Sequence, residues 1–128
     1  MKRAWLAGAA ACSAMAAAAC PLQAADGARL TDGAVTLAWR VDTGTIATGR
    51  PFALQVRVCP SGAELVAVDA TMPAHRHGMN YKPSLQAQGD GRWRAEGLLW
   101  HMSGAWELRF DVMQAGSVHR LRQSVQLP

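Results

Sequence analysis

The stretch Trp106-Glu107-Leu108-Arg109-Phe110-Asp111-Val112 alternates between large apolar and charged side chains at every position. Period two puts Trp106, Leu108, Phe110 and Val112 on one face and Glu107, Arg109 and Asp111 on the other. That is the pattern of a half-buried strand; a helix would throw the four apolar residues to opposite sides. Reading outward, the same rule recurs. Val35, Leu37, Trp39 and Val41 share a face. So do Phe52, Leu54, Val56 and Val58, set against Gln55 and Arg57. Leu65-Val66-Ala67-Val68 forms a short apolar run, and Trp93, Ala95 and Gly97 alternate with Arg92, Arg94 and Glu96. Val118, Leu121 and Val125 close the chain less regularly. Beyond residue 25 no stretch keeps an i, i+3, i+4 apolar spacing for three turns. Gly49-Arg50-Pro51, Pro60-Ser61-Gly62 and Gly89-Asp90-Gly91 supply turn residues between the runs. The expectation is an all-β fold, an immunoglobulin-like β-sandwich of about seven strands.

The 128-residue length fits one domain, but the start reads differently. Lys2 and Arg3 precede an Ala-rich apolar run over residues 4–19, and the small residues Ala24-Ala25 follow. The run falls short of the roughly 20 strongly apolar residues of a spanning helix. A signal peptide over residues 1–25, with cleavage after Ala24 or Ala25, and a domain over 26–128 are expected, hence export to a periplasm. Ala17-Ala18-Ala19-Cys20 also loosely matches a lipoprotein box, so lipidation at Cys20, and with it membrane attachment, is the alternative. Without Lys2 and Arg3, eleven basic residues face nine acidic ones, a net charge of about +2. No basic stripe interleaved with aromatics is present, so nucleic acid is not an expected partner.

Of three cysteines, Cys12 falls in the leader and Cys20 is removed or lipidated on this reading, which leaves Cys59 without an internal partner. Cys59 is then a small buried hydrophobe at a strand end or, less simply, a soft-metal thiol.

One segment breaks the alternation: Met72-Pro73-Ala74-His75-Arg76-His77-Gly78-Met79-Asn80-Tyr81-Lys82-Pro83. Two prolines make a central strand untenable, so a loop is expected here. It holds His75 and His77, with His101 and Met102 in a second cluster before Ser103-Gly104. Thus three of the four histidines, and Met72, Met79 and Met102 of the four methionines beyond residue 25, occupy two short stretches. In an extended loop His75, His77 and Met79 project from one side and Arg76 from the other. Same-side Cα atoms are then about 6.6 Å apart, against a metal–nitrogen bond of about 2 Å. Convergence requires a curl, for which Gly78 provides freedom. Imidazole with thioether favours copper, Cu(I) or Cu(II), and the lack of nearby carboxylates counts against Ca²⁺ or Mg²⁺. The expected ligands are His75, His77, Met79, His101 and Met102, with Met72 as a possible addition. The competing reading is structural: backbone hydrogen bonds for the histidines, core capping for Met72 or Met102. Trp39, Trp93, Trp100 and Trp106 read as core, and His119 as a surface residue with no partner nearby in sequence.

Met72-Pro73-x-His75-x-His77-Gly78-Met79, then Gly89-Asp90-Gly91-Arg92-Trp93, then Met102-x-Gly104-x-Trp106-Glu107-Leu108 resemble the YtkA-like domain, which is related to FixH-type proteins of cytochrome oxidase assembly. The resemblance spans roughly residues 33–126, with 72–108 its specific part. It implies an immunoglobulin-like fold outside the membrane and links to copper delivery and oxidase maturation. FixH-type members carry a membrane helix where this chain has its leader. A weaker similarity, in ligand type and not in spacing, is to periplasmic copper chaperones of the PCuAC type.

Two functions follow: a periplasmic copper-binding protein, a chaperone or homeostasis factor that delivers to a periplasmic or membrane acceptor, or a non-metal interaction and assembly module for a membrane or respiratory complex. No nucleophile–base–acid set is evident, so an enzyme is not expected.

Overall fold

The computed structural model describes residues 20–128. The expected signal peptide falls largely outside the described residues. The described residues form nine strands: β1 (Ala28–Asp32), β2 (Val35–Val41), β3 (Phe52–Cys59), β4 (Glu64–Met72), β5 (His77–Gly78), β6 (Ser84–Gly89), β7 (Arg92–Leu98), β8 (Gly104–Gln114) and β9 (Ser117–Leu127). Two antiparallel sheets, ordered β1-β2-β3-β7-β6 and β5-β4-β8-β9, pack as a sandwich. The all-β expectation holds, with nine strands in place of about seven. Apart from two 3-10 turns, Ala24–Asp26 and Pro73–His75, the described residues form no helix, and none is long and apolar enough to cross a membrane.

The alternating faces meet in the interior. Leu37, Leu54 and Val56 from one sheet join Val68, Leu108 and Phe110 from the other, all nearly inaccessible to solvent. Where the alternation slips, a bulge is responsible. The ladder between β3 and β7 shifts between Phe52 and Ala53, whose partners are Leu98 and Glu96. Gly97 is skipped, with φ +90° and an exposed position. Leu98, not Gly97, therefore enters the core, and the chain beyond is aimed so that Trp100 is fully buried. A shift between Leu65 and Ala67 likewise turns Val66 outward. Asp111 is the one charged residue of β8 that is buried. Its cross-strand partner Arg120 donates two hydrogen bonds to the carboxylate, from Nε at 2.8 Å and Nη2 at 3.1 Å.

The folded body begins ahead of β1. Cys20 forms a disulfide with Cys59, Cα to Cα 5.4 Å, so the expectation that Cys59 stands without an internal partner is corrected. Cys59 is buried at the end of β3 as a strand-end hydrophobe should be, but it is covalently paired across 39 positions. The intervening strap, residues 20–27, is closed by Asp26. This buried carboxylate accepts hydrogen bonds from the Gln23 backbone N–H at 2.7 Å, Arg92 Nη1 at 3.1 Å and Arg57 Nη1 at 3.2 Å. Gly27, φ +108°, then passes so close to β2 that an added Cβ would sit 2.0 Å from the Trp39 carbonyl oxygen. Only glycine fits there.

The Gln23 N–H bond, reinforced by Arg57 and Arg92, holds the Asp26 carboxyl below its ordinary value of 3.8, against the opposing effect of burial. A carboxyl lowered in the folded state stabilises above the unfolded value, and that contribution is lost as pH falls through the folded value. Acid unfolding followed by tryptophan fluorescence between about pH 5 and pH 2 should therefore be steeper for the wild type than for Asp26→Asn. Equal acid sensitivity of the two proteins would contradict this role.

Candidate metal centre

The His/Met loop is not extended. After Met72 the chain enters the 3-10 turn Pro73–His75, and Arg76 takes a left-handed conformation with φ +52°. Reversed by that residue, His77 and Gly78 return alongside β4 as the edge strand β5, in the register Thr71↔Gly78 and Met72↔His77. The N–H of Met79 donates to the Ala70 carbonyl at 3.3 Å. The curl is thus made at Arg76. Gly78 serves another purpose, since a Cβ there would lie 3.1 Å from the Ala70 carbonyl oxygen. The one-sided projection of His75, His77 and Met79 expected of an extended chain gives way to a hairpin-like return.

This return brings three imidazoles together. His77 is central, with ring centroids 5.6 Å from His75 and 5.3 Å from His101. Two imidazoles bound to one ion through bonds of about 2 Å have centroids roughly 5–5.5 Å apart. Both pairs therefore lie near ligand spacing. Among the described residues, however, no group of three or more His, Cys, Asp or Glu is placed to hold a metal ion. The rings form pairs about His77, and a closed cage is not formed. His77 Nε2 is buried without a hydrogen-bond partner. Leaving such a group unpaired is costly unless something else engages it.

The methionines divide. Met72 is 1% exposed. It follows Val68 and Ala70 on the inward face of β4, and its Cε would sit 2.9 Å from a Cβ at Gly104. Met72 is core, which takes it out of reach of an ion at the surface. Met79 is half-buried against the core cluster, and Met102 is exposed. His75 and His101 are exposed as well.

Beneath the imidazoles lies Trp106, buried at the start of β8. Its ring meets His101 edge-on at 5.8 Å and His77 at 6.5 Å, and it stacks on Trp100 at 5.0 Å with planes 3° apart. Phe52 abuts Trp100 in turn at 5.2 Å. Trp106 Nε1 donates to the Met102 carbonyl at 2.9 Å, which pins the second cluster over the first. The tryptophans are core, as the alternation implies. The sequence reading missed that one of them is also the floor of the histidine cluster. Its signal is its position, just after the His101-Met102 turn.

His119 lies elsewhere. It pairs with Val112 on β8, eight rungs from Gly104, roughly 27 Å along the strand. Its partner is remote in sequence: Nδ1 is 3.2 Å from Asp32 Oδ2, across 87 positions.

No protein-family model and no curated protein matches this chain. Among solved structures, a DUF4785 family protein from Legionella pneumophila is similar with a TM-score of 0.48 and 13% identity, over 74% of this chain and 28% of that one. This chain spans little more than a quarter of that protein's length.

Replacing Trp106 by Phe keeps an aromatic floor but removes the N–H bound to Met102 and part of the core volume. The expected loss is about 2 kcal/mol in urea unfolding, with faster amide exchange at Met102 to Gly104. Unchanged exchange in that turn would show that the indole does not hold it.

Proposed function

We propose that this chain is an exported copper-binding protein, which holds Cu(I) or Cu(II) through His77 with His75 or His101 and passes it to an acceptor. The observation that carries this reading is the buried, unpartnered Nε2 of His77, on a ring whose centroid lies 5.6 Å from that of His75 and 5.3 Å from that of His101. Met79 and Met102 adjoin Gly78 and His101 in the chain and would add thioethers, which favour Cu(I). An incomplete cage suits a carrier, because an acceptor can add the missing ligand and draw the ion away. A Cys20–Cys59 disulfide fits an oxidising compartment and so supports export. The resemblance to YtkA-like and FixH-type proteins points the same way.

The second reading is a non-metal interaction module. It is favoured by Tyr81, 59% exposed two residues beyond Met79. Tyr81 forms the rim of a shallow, largely apolar groove with Pro51 and Leu99.

A Cu(I) competition titration against a chromophoric chelator separates the two. It is run with ascorbate as reductant, which maintains Cu(I) without the dithiol that would open Cys20–Cys59. The wild type should bind one equivalent. His77→Ala should weaken binding by roughly 100-fold or more, about 2.8 kcal/mol; His75→Ala, His101→Ala and Met79→Ala should each cost less, and His119→Ala nothing. Failure of the wild type to bind Cu(I), Cu(II) or Zn(II) would favour the interaction module.

A further inference from the structure

Residues 20–27 are fastened to the domain at both ends and along their length. Cys20 is bonded to Cys59. Arg57 Nη1 donates to the Pro21 carbonyl at 3.0 Å, and Arg29 Nη2 to the Leu22 carbonyl at 2.6 Å. The Gln23 N–H binds the Asp26 carboxylate, which also holds Arg57 and Arg92. Arg57 thus spans two carbonyl and carboxylate partners of the strap from β3, and its side chain is only 13% exposed. A strap built in this way is part of the fold.

Three fates compete for Cys20. Cleavage after Ala24 discards it along with Pro21, Leu22 and Gln23. That cut strips Arg57 and Arg29 of their carbonyl partners, Asp26 of its backbone N–H donor and Cys59 of its disulfide partner. Lipidation converts the Cys20 sulfur to a thioether and leaves Cys59 a thiol. Disulfide formation retains every contact above. One sulfur atom cannot serve as both thioether and disulfide.

We infer that the mature protein retains Cys20 as the disulfide partner of Cys59, and that any leader is cut on its N-terminal side. The sequence offers such a cut, because the small residues Ala17-Ala18-Ala19 directly precede Cys20. The bond forms by thiol–disulfide exchange with an oxidant that itself carries a disulfide. Cys20 and Cys59 each give up one proton, their sulfurs join, and the two electrons reduce the oxidant's disulfide to a dithiol. This assignment stands whether or not the chain binds copper. Cys59 lies at the end of β3 next to the turn into β4, while His75, His77 and His101 lie at the far end of β4. The disulfide and the histidine cluster therefore occupy opposite ends of the sandwich.

The test is mass spectrometry of the full chain expressed with its native start and recovered from the periplasm. The expected result is an N-terminus at or before Cys20, with a cross-linked peptide joining Cys20 to Cys59 in a non-reducing digest. Reduction should add two hydrogens to the intact mass. An N-terminus beyond Cys20, a diacylglyceryl group on Cys20, or both cysteines recovered as free thiols would each overturn the assignment. Thermal melts give a second reading. Cys20→Ser and Cys59→Ser should each lower Tm by on the order of 10 °C, and the double variant should lose no more than either one, since one bond is broken in all three. Additive losses would contradict a shared bond.

Discussion

The burial of Trp106 is the constraint on which the functional end of the molecule depends. A tryptophan at the first inward position of β8 has to be covered, and Trp100 covers it from within the core by parallel stacking. Its N–H also has to be satisfied, and the Met102 carbonyl satisfies it. Together these requirements fix the path of residues 98–104. The bulge at Gly97 makes that path available by turning Leu98 inward and Trp100 with it. His101 is left to point outward beside His77, which reaches the same spot from β5. The imidazole cluster is thus a consequence of how the sandwich closes over two tryptophans.

The two ends of the sandwich do different work. At one end the chain is fastened by the disulfide, the Asp26 network and the close passage of Gly27 beneath β2. Ligand-type side chains gather at the other, where His75, His101 and Met102 are exposed and His77 and Met79 are half-buried. The covalent and ionic fastening is thus concentrated away from the histidine cluster.

Much of this was legible in the sequence. Every strand with a clean two-residue alternation, β2, β3, β7 and β8 above all, lies where its apolar residues put it, because burial on one face writes that period into the chain. Strands β1 and β6 left no such mark. They lie at sheet edges, where only Leu30 and Leu85 pack against the core. The two-residue β5 is too short to carry any period. Gathering of His75, His77 and His101 was visible as composition, whereas their mutual spacing depended on the left-handed turn at Arg76. Of the two roles open to Met72 in the sequence, core and ligand, its burial on the same face of β4 as Val68 and Ala70 favours core. Pairings between distant positions, Cys20 with Cys59 and Asp32 with His119, have no local signature. For Cys20 the leader-like run before it actively pointed the other way.

If His77 is the hub of a copper site, as proposed, its imidazole nitrogens report on it directly. Cu(I) is diamagnetic, so long-range ¹H–¹⁵N correlation spectra of the four histidines remain readable as the ion is added. A large shift of His77 Nε2 is expected at one equivalent, with a matching change in His75 or His101 and an unmoved His119. Copper that binds while the His77 ring resonances stay in place would contradict the proposal.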